Sequence, residues 1–79
     1  TITFMLQVDD TPGLLSCILN CVARNNFNIL TIHQSIPVNG IASLTLSIEI
    51  PRDTLDASVV FDEIEALDGI HYLKILARE

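Results

Sequence analysis

Basic residues are scarce in this sequence. Ten Asp and Glu face four Lys and Arg, a net charge of −6, and the four bases (Arg24, Arg52, Lys74 and Arg78) are scattered along the chain. Binding to nucleic acid depends on a basic footprint that displaces counterions from phosphates, so nucleic acid is excluded as a partner. The same shortage disfavours an anionic membrane surface. Long apolar runs are missing too: none reaches the ~18 residues that read as a membrane span. There is no leader-peptide pattern, no linker and no low-complexity tract. The sequence begins at Thr1, without Met and almost inside a strand pattern. An excised piece of a longer chain would begin in this way.

Catalytic constellations are equally thin. There are two cysteines, Cys17 and Cys21, and two histidines, His33 and His71. Nucleophilic catalysis needs a nucleophile, a base and an orienting group held together, and no spacing here links Ser16, Cys17 or Cys21 to either histidine. Cysteines four apart stack on one face of a helix but do not suit a local disulfide. Two small, buried, reduced thiols are expected, as in a cytosolic protein. No metal-ligand spacing joins these four residues, and no cofactor is implied. His33 is expected on an exposed sheet face, bonded to a hydroxyl neighbour such as Thr31 or Thr45. His71 is expected as an ordinary strand residue near the second helix.

Apolar residues, by contrast, are plentiful: 49% of the chain. At 79 residues the chain makes one domain, residues 1–79, of a size that buries only about 60% of its unfolded surface. The excess of apolar residues points to a subunit or domain interface.

Five turn-like marks cut the chain into six segments. "TITFMLQV" alternates, with Ile2, Phe4, Leu6 and Val8 on one face, which predicts a strand. From Pro12 to about Asn25, Leu14, Leu15, Ile18, Leu19 and Val22 recur at three and four, which predicts a helix. Thr11 is the expected cap, with Pro12 in the first helical position and Asn26 as the stop. "NILTIHQSIP" and "IASLTLSIEI" alternate again. In the first, Leu30, Ile32 and Ile36 are expected to share a face with Asn28 and Gln34. Asn39-Gly40 between the two segments is a hairpin signal, since both residues tolerate positive φ. A second helix is expected from about Thr54 to Asp68, capped by Asp53 and stopped by Gly69. Val60, Ile64 and Leu67 form its seam, backed by Leu55 and Phe61, while Asp62, Glu63 and Glu65 form its wet face. The last segment, "IHYLKILAR", places Leu73, Ile75 and Ala77 opposite Tyr72, Lys74, Leu76 and Arg78. Two right-handed split βαβ units then give a ferredoxin-like βαββαβ sandwich of the α+β class. Its four-stranded antiparallel sheet carries both helices on one face. The other face bears Thr3, Met5, Gln7, Thr31, His33, Ser43, Thr45 and Ser47.

The corner "DDTPG" is the one place that invites a ligand. Asp9 and Asp10 are adjacent in an extended chain and point in opposite directions, which argues against paired acid–base work. One glycine, no lysine and two acids make it a poor phosphate site. A zwitterion fits better: N–H groups at the helix start take a carboxylate, and an Asp takes an ammonium. A purely structural cap is the other reading open at this point.

"VDDTPGLLSCILNCVARNNFNILTI" resembles the signature of the ACT domain, a small amino-acid-sensing regulatory module. Its elements are a strand, an Asp directly before x-Pro-Gly, a hydrophobic helix, and an Asn-Ile pair, here Asn28-Ile29, opening the second strand. "ALDGIHYLKILARE" is similar to the family as well, and the likeness covers essentially the whole chain. It looks nearest to small ACT proteins linked to phenylalanine biosynthesis and sometimes labelled chorismate mutase-like. Asn25-Asn26 stands where the family commonly has glycine.

The resemblance implies a cytoplasmic, non-catalytic domain that forms a homodimer or higher oligomer and binds a small-molecule amino acid at the joint. Asp10 would meet the ammonium, and the N–H groups of Gly13 and Leu14, after Pro12, the carboxylate. Asn28 would add a polar contact from across the interface, and Ile29 an apolar wall. Val8 stands where serine-binding members tend to have a polar residue, which favours an apolar effector such as phenylalanine. The alternatives are a structural assembly module with an empty site, or the regulatory piece of a biosynthetic enzyme of the chorismate mutase or homoserine dehydrogenase kind.

Overall fold

The computed structural model describes residues 1–52 and 57–79. Six elements run in the expected order: β1 (Ile2–Asp9), α1 (Leu14–Arg24), β2 (Asn28–Gln34), β3 (Ile41–Glu49), α2 (Ser58–Glu65) and β4 (Ile70–Arg78). The strands form one antiparallel sheet in the order β2-β3-β1-β4. This is the ferredoxin-like α+β sandwich.

The core follows from two periods meeting. Alternate residues of β1 (Ile2, Phe4, Leu6, Val8) and of β3 (Ala42, Leu44, Leu46, Ile48) are buried and point the same way. They meet the helix stripes Leu14, Ile18, Cys21 and Val22 of α1 and Val60, Phe61 and Ile64 of α2 in a single cluster. Phe4 and Phe61 join sheet to helix edge-to-face, with centroids 5.1 Å apart. Each such side chain contributes roughly 1.5–3 kcal/mol by leaving water. No polar side chain is buried among the described residues.

Two turns form as their residues demand. Asn39 (φ 54°) and Gly40 (φ 78°) close a two-residue hairpin, with Val38 and Ile41 exchanging N–H···O bonds of 2.9 and 3.0 Å. Asn26 (φ 65°) ends α1 in a Schellman motif: Phe27 N–H donates to the Val22 carbonyl and Asn26 N–H to that of Ala23. Phe27 and Val22 are both buried, which supplies the apolar contact that accompanies this ending.

Several expectations need correction. Helix α1 starts at Leu14, not Pro12, and Thr11 is not its cap. Gly13, at φ 84°, occupies the cap position and lies outside helical space, so no helix can form before it. Thr11 to Leu14 is instead a type II turn, with Pro12 and Gly13 at its centre and Leu14 N–H donating to the Thr11 carbonyl at 3.2 Å. Strand β2 ends at Gln34, and Ile36 lies beyond it. A bulge at Leu30 breaks its alternation: Ile29 pairs with Ile48 and Thr31 with Ser47, so two residues advance against one. Ile29 and Ile32 therefore take the core face, and Asn28 lies with Thr31 and His33 on the outer face. In β4 a bulge at Leu76 sends Ala77 to the outer face, opposite Thr3.

Cys17 is exposed while Cys21 is buried. The α1 stripe leans toward the half-buried Leu15 and Leu19, leaving Cys17 on the wet flank. Helix α2 is shorter than expected, and the readings of Asp53, Thr54 and Leu55 fall outside the described residues. Glu63 leaves the wet face to meet Arg24 Nη2 at 2.5 Å, tying α2 to the end of α1.

Candidate functional site

Strand β1 ends between two neighbours, and its last residues bond to both. Asp9 N–H donates to the Gly69 carbonyl on the β4 side, and Asp10 N–H to the Gly40 carbonyl on the β3 side, each at 2.8 Å. Thr11 N–H turns back onto the Asp9 carbonyl at 2.9 Å. The sheet end is thus closed by three tight turns, each with a glycine at positive φ: Gly13, Gly40 and Gly69.

On this frame the corner exposes Asp10, Thr11, Pro12 and Gly13. The Asp10 carboxylate makes no bond among the described residues, and α1 has no side-chain cap. Leu14 N–H is engaged by Thr11, whereas the N–H groups of Gly13, Leu15 and Ser16 have no acceptor among the described residues. One corner thus holds an unbonded carboxylate and unbonded donors at a helix N-terminus, the two kinds of group that a ligand bearing both charges would engage. Leu14 and Val8 are buried beneath the corner.

Asn28 and Ile29 are elsewhere. Ile29 is level with Ile48, which is level with Ile2, while Asp10 follows the far end of β1. Eight residue steps at about 3.4 Å each, from Ile2 to Asp10, set the two groups roughly 27 Å apart along the strands. Within one chain the six residues of the expected site form two clusters at opposite ends of the sheet. Asn28 is exposed and Ile29 half-buried on the outermost strand, whose Leu30 and Ile32, with Ile36 and Val38 beyond its end, are exposed apolar residues.

The sequence reading missed His71. A bulge in β4 at this residue, where Tyr72 pairs with Gln7 and Ile70 with Val8, frees it from regular pairing. Its Nε2 lies 2.5 Å from Asp9 Oδ1. The only signal in the sequence was an acid and a histidine each next to a turn. His71 also lines a shallow cleft of about 240 Å³ with Glu65, Ile70, Tyr72 and Leu73. That volume is below the usual range for a small-molecule pocket. His33 stands opposite Thr45 on the outer face, without the expected hydroxyl bond.

Three groups have shifted pKa values. Burial pushes the Cys21 thiol above its ordinary value, which keeps it protonated and unreactive at neutral pH. The Arg24 hydrogen bond lowers the Glu63 carboxyl below 4.5, and Glu63 in turn raises Arg24. No group of three or more His, Cys, Asp or Glu is placed to hold a metal among the described residues. No helix there is long and apolar enough to cross a membrane.

The fold is a ferredoxin-like βαββαβ module, and comparison with known proteins can be set beside its corner. No family model matches the chain. A "UPF0735 ACT domain-containing protein" of Lachnoclostridium phytofermentans is 68% identical over 79 residues, covering 100% of this chain and 54% of the relative. The chain spans about half the length of the curated relatives it matches. Among solved structures, the ACT domain from GTP pyrophosphokinase of Chlorobium tepidum superposes with a TM-score of 0.77 at 20% identity, covering 95% of both chains. The acetolactate synthase small subunit from Thermotoga maritima gives 0.74 at 19%, covering 94% of this chain and 45% of that one. These likenesses support the ACT-domain resemblance and the fold. They give no support to a nearer kinship with chorismate mutase-like proteins of phenylalanine biosynthesis.

Proposed function

We propose that the chain is a non-catalytic regulatory domain of amino acid metabolism that pairs with a second copy and binds an apolar amino acid at the joint. One observation carries the reading: the corner before α1 holds both an unbonded Asp10 carboxylate and the unbonded N–H groups of Gly13, Leu15 and Ser16. Asp10 takes the ammonium and the helix start takes the carboxylate. The distance to Asn28 argues for the second copy. If two β2 edges pair antiparallel about a two-fold axis, Asn28 and Ile29 of one copy move to the Asp10 end of the other. The exposed Leu30 and Ile32 of that edge are what such a pairing would cover.

The ligand then bridges two subunits and shifts an existing equilibrium between arrangements. The activity it controls resides in sequence outside these 79 residues, in a cytoplasmic protein of which this is one domain. Val8 and Leu14 beneath the corner favour an apolar effector, phenylalanine among the first to try.

Thermal melting of the chain against all twenty amino acids tests this. A true ligand at 100 times its Kd adds about 2.7 kcal/mol. The Asp10→Ala variant should melt as the unaltered chain does without ligand, because Asp10 bonds nothing, yet lose the response. A folded dimer that responds to no amino acid would leave a structural assembly module as the better reading. The exposed β2 edge favours that module independently of any ligand.

A further inference from the structure

We propose that Asn39 is a covalent modification site: its side-chain amide is lost by ring closure onto Gly40, and the isoaspartyl product releases Asp10 from the hairpin. No ligand takes part. The chain has five asparagines, Asn20, Asn25, Asn26, Asn28 and Asn39, and only Asn39 precedes a glycine. Ring closure brings the backbone nitrogen of the next residue onto the asparagine Cγ, so that nitrogen must be unbonded and unobstructed. Three of the other four fail on the first count. Asn20 is followed by Cys21 inside α1, where N–H groups are engaged within the helix. The N–H after Asn25 donates to the Ala23 carbonyl, and the one after Asn26 to that of Val22. Asn28 is followed by Ile29, whose branched side chain hinders approach to its nitrogen.

At the hairpin tip both conditions are met. Asn39 and Gly40 are exposed. The Gly40 N–H has no acceptor among the described residues. The Asn39 carboxamide makes no bond among them either, whereas that of Asn25 donates to the Cys21 carbonyl and to Glu63. A Cβ built on Gly40 would meet nothing within 4 Å, so the ring has room to form, and glycine resists the backbone rotation least.

The Gly40 nitrogen gives up its proton and bonds to Asn39 Cγ. The carboxamide C–N bond breaks, and ammonia leaves with a proton. Water then opens the imide at either carbonyl, and nothing is oxidised or reduced. Opening at Cγ gives aspartate. Opening at the backbone carbonyl gives isoaspartate, in which the main chain runs through Cβ and Cγ and the former carbonyl becomes a free carboxylate. The extra main-chain atom falls inside a closed turn: Val38 and Ile41 exchange N–H···O bonds of 2.9 and 3.0 Å, and the Gly40 carbonyl takes the Asp10 N–H at 2.8 Å. A longer turn does not keep Gly40 in register with both Ile41 and Asp10.

The test is to age the full chain at mildly alkaline pH, which helps the Gly40 nitrogen lose its proton. Ion exchange and peptide mass analysis should show a more acidic form, altered at Asn39 before any other asparagine. A carboxyl methyltransferase specific for isoaspartate should label it. In that form the Asp10 amide should exchange its hydrogen about fivefold faster, the net worth of one hydrogen bond. Asn39→Gly, which accepts positive φ at this position, should form no isoaspartate there. Asn39→Asp, made fresh, adds the charge without the extra atom and should keep Asp10 protected. The proposal is overturned by the absence of an acidic form, or by one that begins at another asparagine. It is overturned equally by an isoaspartyl form whose Asp10 exchanges as in the fresh chain, or by the same loss of protection in Asn39→Asp.

Discussion

Strands β1 and β3 pair without interruption from Ile2 opposite Ile48 to Asp9 opposite Ile41. Each edge strand slips against its neighbour, β2 at Leu30 and β4 at His71 and Leu76. The difference follows from what each strand must satisfy. A central strand bonds on both sides and has one face sealed by helices, so a one-residue slip would expose a whole buried set. An edge strand bonds on one side only, and an extra residue there disturbs a single ladder. The centre of this sheet sets stability, and its edges are free to aim side chains. Asn28, Ile29 and His71, three residues of functional interest, all lie on the edges at or near a bulge.

The sharpest way to break this contrast is to truncate one residue in each region. Phe4→Ala should cost about 3–5 kcal/mol, because a fully buried ring against Phe61 leaves a cavity. Ile32→Ala, on an edge residue 44% exposed, should cost well under half of that in dilute solution. Urea unfolding at low concentration measures both, and equal losses would mean that the edge is as structural as the centre.

The turn that starts β4 provides the next test. Gly69→Ala should cost about 1–3 kcal/mol, since φ 97° is strained for any residue with a Cβ. Here the new methyl also meets Leu14. An unchanged urea midpoint would show that the edge tolerates strain which the centre cannot.

The smallest effect belongs to the helix layer. The Arg24 hydrogen bond lowers the pKa of Glu63, so its contribution is present above the ordinary value of 4.5 and is lost as pH falls through the lowered one. Glu63→Gln should therefore lose stability at neutral pH but little more below pH 4, narrowing its gap from the unaltered chain. Parallel pH profiles for the two proteins would remove the ion pair from the account.

The same centre-to-edge division explains what the sequence made legible. Period two survives wherever both neighbours enforce register, so β1 and β3 could be read residue by residue. The element order, the Asn39-Gly40 hairpin and the Asn26 helix stop were legible because each depends on local backbone preference. The bulges were not, since an extra residue in a ladder depends on which strand lies alongside. That is why Ala77 and Asn28 were assigned to the wrong faces and His71 passed as ordinary. At the corner, Pro-Gly read equally well as a helix start or a turn. What decided it was Gly13 at positive φ, a conformation the spelling permits but does not dictate. Asp10 as an unbonded acid needed the coordinates of everything around it.

Strand β1 is the first of the six elements, yet its two partners are β3 and β4, with Ile2 lying beside both Ile48 and Arg78. Phe4 and Leu6 therefore keep one flank of their strand bare until β4 docks. Closing that loop spans all the elements between, which slows folding. Docking of β4 is thus the step that locks β1 on its second side.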